Sequence, residues 1–87
     1  MGHARNKPKR LAEKLLQIRE ALGLSQREMA ERLGNFRTQH HISNYERGKS
    51  VPPIEVVLAY SGLANVSMNE IVDDDQDLPL ASSIRKS

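Results

Sequence analysis

The sequence predicts an all-α fold built from five short helices. Apolar residues recur every three to four positions along several segments, which is the spacing of one buried helix face. Hydroxyl residues stand where helices are expected to begin, at Ser25, Thr38 and Ser67. No segment alternates apolar and polar residues as a half-buried strand does. We therefore expect one small helical domain.

A basic arm precedes the first helix. Residues 1–9 contain three Lys or Arg residues and no periodic apolar positions, which predicts a flexible segment. The helix then begins near Arg10, and its inward face is formed by Leu11, Leu15, Ile18 and Leu22. Gly23 ends it, because glycine accepts the left-handed backbone common at helix C-termini.

The second helix is predicted over about 26–33. Ser25 and Glu28 have the spacing of a capping box, in which the hydroxyl and the carboxylate each bind a backbone N–H of the other residue. Gly34 follows and is expected to end the helix.

The third helix is predicted over about 39–47 and has a mostly polar surface. Thr38 is its expected cap, after a short turn at 35–37. Only Ile42 and Tyr45 are expected to be buried. A helix with a narrow apolar face and many outward amide, imidazole and hydroxyl groups suits binding better than core packing.

Two prolines open the fourth helix, since proline in the first turn loses no helical hydrogen bond. Its inward residues are expected to be Ile54, Val57 and Leu58. The helix should end around Ala64, and Ser67 should cap a short fifth helix over about 68–72.

The predicted domain covers residues 10–72, and residues 73–87 form an acidic and then apolar C-terminal tail. We interpret Asp73–Asp77 as a solvated helix terminator, because the run lacks the Gly and Glu of a calcium-binding loop. Residues 78–87 are expected to be loose or to pack only on a partner.

Composition excludes several classes of function. The chain of 87 residues has no cysteine, which excludes disulfides, thiolate nucleophiles and Cys-ligated metals. No nucleophile, base and orienting group share a recognisable pattern, so we expect no enzyme activity and no cofactor. His40 and His41 point about 100° apart on a helix, which disfavours a metal site. No apolar run is long enough for a membrane span, and a cytoplasmic protein is expected.

Charge is distributed unequally along the chain. Residues 1–50 hold eleven Lys and Arg against five acids, a net charge of +6, whereas residues 51–87 hold two against six, a net charge of −4. This asymmetry favours a polyanionic partner for the first half.

Three segments together resemble one known family. The stretches IREALGLSQREMAERLG, ISNYERGKSVPP and VSMNEIV are similar to the helix-turn-helix DNA-binding domain of the lambdoid phage repressors and Cro, and of the XRE family of bacterial regulators. The resemblance covers about residues 10–72 and implies a lambda-repressor-like fold. The turn at 35–37 is about two residues longer than is typical, so we number the third helix backwards from Ile42.

The resemblance implies that the third helix is a recognition helix that binds bases in the major groove. The candidate base-reading residues are Gln39, His40, His41, Ser43 and Asn44. The chemistry agrees, because the glutamine amide can form two hydrogen bonds with adenine and one α-helix fits the major groove.

Other residues are expected to hold the DNA backbone or the fold. The candidate phosphate-binding residues are Gln26, Arg37, Thr38, Arg47 and Lys49, and those of the arm are Arg5, Lys7, Lys9 and Arg10. The resemblance further implies a structural ion pair between Arg19 and Glu46. Two solvated side chains are the alternative for that pair.

The predicted function is sequence-specific binding of double-stranded DNA by a bacterial or phage-type transcriptional regulator, acting as a repressor. The family implies a homodimer on a pseudo-palindromic operator. The alternative is an antitoxin-like or other protein-interaction module that binds a protein partner through residues 73–87, with DNA binding secondary. RNA binding is disfavoured because aromatic stacking residues are scarce.

Overall fold

Five α-helices make up the described part of the chain. A computed structural model describes residues 10–34 and 37–79, and no strand occurs in those two ranges. The helices are α1 (Leu11–Leu22), α2 (Gln26–Arg32), α3 (Gln39–Glu46), α4 (Ile54–Ala64) and α5 (Met68–Val72). The prediction of an all-α fold with five helices is confirmed.

Local side-chain contacts determine where α2 begins. The Ser25 hydroxyl accepts a hydrogen bond from the Glu28 N–H at 3.0 Å, and the Glu28 carboxylate accepts one from the Ser25 N–H at 2.8 Å. These two bonds satisfy backbone donors that a helix start otherwise leaves unpaired. They also lower the pKa of Glu28, because they favour the ionised carboxylate. Ser67 and Glu70 cap α5 in the same way.

Helix α1 lies at the centre of the domain and packs against α3, α4 and α5, while α2 packs against α3. Helix α1 ends at Gly23, whose φ of 72° is in the left-handed region. The fully buried apolar side chains that join the helices are Leu15, Ile18, Met29, Ile42, Val56, Tyr60 and Ile71. This core fixes α2 and α3 as a helix-turn-helix unit on one side of α1.

The inward face of α4 differs from the prediction. Ile54 and Leu58 are 71% and 59% exposed, although both were expected to face inward; Val57 is buried as expected. The buried residues of α4 are Val56, Val57, Tyr60 and Ala64. Glu55 is the one charged residue of this otherwise apolar helix, so apolar spacing alone does not distinguish its two faces.

The acidic segment after α5 also differs from the prediction. Lys14 of α1 is fully buried, and its ammonium group donates to the carbonyl oxygens of Glu70, Asp73 and Gln76 at 2.8, 2.7 and 2.6 Å. Leu78 is partly buried against the core. The backbone of this segment is therefore attached to α1 and Leu78 reaches the core, whereas the side chains of Asp75, Gln76 and Asp77 are exposed to solvent.

Hydrogen bonds within that segment favour ionised Asp73. Its carboxylate accepts from the Asp75 N–H at 2.9 Å and from the Gln76 side chain at 3.2 Å. These two bonds, with a smaller contribution from the charge of Lys14, lower the pKa of Asp73.

Candidate nucleic-acid interface

Helix α3 turns two apolar side chains inward and its polar side chains outward. Ile42 is fully buried and Tyr45 is 4% exposed, so the helix is fixed to the core by one narrow face. Gln39 and His40 are exposed, and Ser43 and Asn44 are half-buried. Gln39 and His40 are therefore free of any core-packing role, and Ser43 and Asn44 are partly accessible.

The N-terminal end of α3 forms one wall of an open groove. The groove has a volume of about 450 Å³ and is lined by Gln26, Thr38, Gln39, His40 and Ser43. It therefore brings together three predicted base-reading residues and two predicted phosphate-binding residues. All five lining residues are polar, and the groove lies where α2 and α3 begin.

His41 has a structural contact in addition to its predicted role. Its Nδ1 accepts a hydrogen bond from the Thr38 N–H at 3.1 Å, while the Thr38 hydroxyl accepts from the His41 N–H at 3.3 Å. The imidazole thus replaces the usual Glu or Gln of a capping box. It also stacks on Tyr45, with ring centres 6.4 Å apart. The ring is therefore held against Thr38 at the start of α3 and is not itself among the groove-lining residues.

A buried carboxylate connects α1, α2 and α3. Arg19 donates from Nε and Nη2 to the two Glu46 oxygens at 2.7 and 3.1 Å, and their side chains are 16% and 4% exposed. The hydrogen bond with Glu46 raises the pKa of Arg19 above its ordinary value. Gln26 also donates to Glu46, at 3.0 Å. The contact of Gln26 was not foreseen, since twenty residues separate it from Glu46.

The predicted phosphate-binding cations surround α3. Arg37 donates from Nε to the Tyr45 hydroxyl at 2.8 Å, and Arg47 contacts the Ser43 hydroxyl at 3.4 Å. Lys49 is exposed just beyond the helix. Residues 35 and 36, which contain most of the lengthened turn, lie outside the described residues.

Arg10, a predicted DNA-contacting residue of the arm, also has partners within the domain. Its backbone N–H donates to the Asp74 carboxylate at 2.9 Å, and its guanidinium donates to the Asp74 carbonyl oxygen, also at 2.9 Å. The guanidinium also forms an ion pair with Asp77 at 2.8 Å. This cation contacts the acidic segment that follows α5, because that segment packs on α1. The other arm cations, at positions 5, 7 and 9, lie outside the described residues.

Metal-ligand clusters and membrane-spanning helices are both absent from the described ranges. Residues 10–34 and 37–79 contain no group of three or more potential metal-binding side chains. None of the helices there is long and apolar enough to cross a bilayer.

Comparison with known proteins agrees with this geometry. A helix-turn-helix family model matches residues 15–71, which contain α2, α3 and all of α4. The chain belongs to the XRE-type helix-turn-helix family, a family of DNA-binding transcriptional regulators. No solved structure gives a significant match to it.

One curated relative extends the comparison. The HTH-type transcriptional activator BcrR of Enterococcus faecalis is 33% identical over 75 residues, which is 86% of this chain. Those residues cover 36% of the relative, so the chain spans about a third of its length.

Proposed function

We propose that this helix-turn-helix protein binds a specific sequence of double-stranded DNA through α3 in the major groove and thereby regulates transcription. The observation that supports this most directly is the polar groove at the start of α3. There, Gln39, His40 and Ser43 are directed away from the core beside two helix N-termini. A surface with base-binding groups between phosphate-binding groups suits duplex DNA.

The polar side chains of α3 match the chemistry of base edges. The amides of Gln39 and Asn44 each offer a donor and an acceptor, the pattern that adenine presents in the major groove. His40 and Ser43 add groups that act as donor or acceptor on neighbouring bases. His41 remains a candidate only through the ring nitrogen that does not bind Thr38.

Phosphate contacts on either side would hold α3 in register. Gln26 uses one N–H of its amide on Glu46, and the same nitrogen has a second N–H for a phosphate oxygen. The other candidate phosphate-binding residues lie at the two ends of the same helix: Arg37 and Thr38 precede it, and Arg47 and Lys49 follow it. The buried carboxylate of Glu46 thus positions Gln26 as well as pairing with Arg19.

We further propose a homodimer that represses transcription by occupying its operator. A single short helix contacts few base pairs, and two copies about 34 Å apart on DNA would double the contact. The named relative is an activator. A reporter with the selected site overlapping a promoter, or upstream of it, distinguishes the two outcomes by the direction of the change in expression.

The alternative is an antitoxin-like module that binds a protein partner through residues 73–87. It is based on apolar residues of the tail that were not expected to pack against the domain core. Leu78, the first of them, is partly buried against the domain core. Leu80 and Ile84 lie outside the described residues. The structure thus gives no particular reason to prefer a protein-interaction module.

Selection of bound duplexes from a random pool tests the proposal and gives the operator. On the selected site, Gln39→Ala and Asn44→Ala should each weaken binding by about 1–3 kcal/mol while sparing random DNA. Asn69→Ala is the matched control, because it removes an exposed amide on α5. Equal losses on random and selected DNA would contradict base reading.

Salt dependence tests the phosphate contacts separately. Lys49→Ala should weaken binding to all sequences and reduce the slope of log affinity against log salt by about one. An unchanged slope would remove Lys49 from the phosphate-binding set.

A further inference from the structure

Helix α4 has an exposed apolar face. Ile54 and Leu58 are 71% and 59% exposed and lie one helical turn apart. Gly62, also exposed, lies one turn further along the same line. We call these three residues the α4 row. Among the described residues, the exposed large hydrophobic side chains are Ile54, Leu58 and Val51, and Val51 lies just before the helix.

Nothing within the described domain requires glycine at position 62. Its φ is not in the left-handed region, and an added Cβ would meet no atom within 4 Å. Glycine is nevertheless among the least favourable residues in a helix. A bare backbone is useful where a group from another molecule approaches closely.

The α4 row is complementary to itself in size. If two α4 helices pack antiparallel about a two-fold axis through Leu58, each position before Leu58 faces the position equally far after it. Ile54 of one copy then faces Gly62 of the other, and this occurs twice. The two Leu58 side chains meet on the axis. Each Ile54 side chain is thereby placed over the gap left by a glycine.

Charge is compatible with the same register. Glu55 is the one charged residue of α4, and in this arrangement it faces Ser61 of the partner subunit rather than a second carboxylate. The two Glu55 residues are separated by about 9 Å along the helix direction. The absence of a basic residue from α4 makes this face unsuited to the phosphate backbone.

We propose that the α4 row is the docking surface for a second copy of this chain, with the two α4 helices antiparallel and Leu58 on the axis. This inference identifies the surface through which the homodimer proposed above would form. Only the role of that surface in DNA binding rests on the proposed function. One helical row is smaller than the roughly 800 Å² per partner of a standard interface. The dimer is therefore weak in solution and is completed when two copies bind adjacent DNA half-sites.

Single cysteines test the register, because the chain has no cysteine of its own. Leu58→Cys should form an intermolecular disulfide under mild oxidation, since residues on the axis come within the Cα separation that a disulfide needs. Ile54→Cys alone should not, because its two copies are about 12 Å apart along the helices. Combining Ile54→Cys with Gly62→Cys should restore cross-linking.

Non-reducing gels without DNA provide the measurement. Glu20→Cys, an exposed position on α1, gives the rate of random collision. Leu58→Cys should cross-link at least tenfold faster. Equal rates for Leu58→Cys and Glu20→Cys would overturn the interface, and would mean that another part of the chain or a different protein covers the row. Fast cross-linking of Ile54→Cys alone would overturn the register.

Gly62→Ala separates association from folding. In dilute monomer the change should raise Tm by about 4–8 °C, because alanine favours the helix and its methyl group meets nothing. In the Leu58→Cys background it should slow cross-linking at least tenfold, because the methyl group occupies the space for Ile54. Unchanged or faster cross-linking would contradict the proposed fit.

DNA binding distinguishes failure of the interface from failure of the function. Leu58→Ser should weaken binding to a duplex with two selected half-sites at least tenfold and leave single half-site binding unchanged. Equal loss on both duplexes would overturn the role of the row in dimerisation on DNA. Cross-linking without any DNA binding by the wild type would uphold the interface and overturn only the proposed function.

Discussion

At the residue scale, the carboxylate of Glu46 joins three helices. It accepts hydrogen bonds from Arg19 and Gln26, and its side chain is 4% exposed. Arg19 also donates to the Leu24 carbonyl at 2.8 Å, so the ion pair fixes the turn between α1 and α2. The same carboxylate thus supports the fold and positions a predicted phosphate-binding amide.

Breaking this ion pair should strongly destabilise the domain. Arg19→Met leaves a buried carboxylate without its cation, and we expect the free energy of unfolding to fall by about 3–5 kcal/mol in urea titrations. The exposed pair Arg27–Glu31, at 3.8 Å, is the matched control. Arg27→Met should cost less than about 1 kcal/mol. Similar losses for both variants would show that Arg19 and Glu46 act as solvated charges.

Tyr60 should tolerate loss of its hydroxyl. Its ring is fully buried, and the hydroxyl has no hydrogen-bond partner among the described residues. Tyr60→Phe removes an unsatisfied polar group, so the free energy of unfolding should stay constant or rise by about 1 kcal/mol. Tyr45→Phe is the control, because it loses the 2.8 Å bond from Arg37 and should cost about 1 kcal/mol. A cost for Tyr60→Phe above that for Tyr45→Phe would contradict this.

The same variant should alter stability at alkaline pH. Burial raises the pKa of Tyr60 above its ordinary value of 10.0, so the folded protein holds the phenol proton more tightly than the unfolded chain. The free energy of unfolding of the wild type is therefore unaffected by this proton below pH 10. It falls as the pH rises above 10 towards the folded-state pKa, because the unfolded chain ionises first. The stability difference between Tyr60→Phe and wild type should therefore widen above pH 10 in unfolding titrations. A constant difference would contradict the shift.

At the scale of elements, Lys14 attaches α5 and the segment after it to α1. Its ammonium group binds three carbonyl oxygens at and beyond the C-terminal end of α5, where such groups lack helical partners. Arg10 adds exposed contacts to Asp74 and Asp77. The short helix α5 has five residues, so these contacts compensate for its small packing surface.

Replacing Lys14 should loosen α5 before the rest of the domain. Lys14→Met keeps much of the side-chain volume but leaves the carbonyls unpaired, and we expect a loss of about 2–4 kcal/mol. Amide hydrogen exchange at Ile71 and Asp73 should accelerate more than exchange at Ile42. Arg10→Ala, which removes a solvent-accessible guanidinium, should cost much less than Lys14→Met. Uniform acceleration over all helices would contradict a local role for Lys14.

These elements also show what sequence could and could not predict. The caps of α2, α3 and α5 lie within three residues of their partners, so local patterns were sufficient to place Ser25, Thr38 and Ser67. The partners of Lys14 lie 56 to 62 residues away, and no local pattern indicates them. The face of α4 was misassigned because a nearly all-apolar helix has no polar side to mark its exterior.

The exterior of α3 was predictable for the opposite reason. Helix α3 has two buried apolar residues and a polar remainder, so its exterior follows from its own sequence. The bond from Gln26 to Glu46 depends on how α2 and α3 pack, and it required the structure.

At the scale of the whole molecule, opposite charges lie in different halves of the chain. Residues 1–50 have a net charge of +6 and residues 51–87 a net charge of −4. The acidic segment binds Arg10, immediately after the arm, so the two halves meet at the base of α1. Arg10 therefore already has acidic partners within the domain, and under the proposed function we expect Arg5, Lys7 and Lys9 to make the contacts of the arm with DNA.

Deleting residues 1–9 should reduce the salt dependence of DNA binding without changing the preferred sequence. The deletion removes Arg5, Lys7 and Lys9, so the slope of log affinity against log salt should fall by about 2–3. Replacing Arg85 and Lys86 with Ala is the control, because it removes two cations from the acidic half and should leave the slope unchanged. Fluorescence anisotropy on the selected duplex across a salt series measures both. If the deletion leaves the slope unchanged, the arm makes no phosphate contacts; if the control lowers it equally, net charge rather than position governs binding.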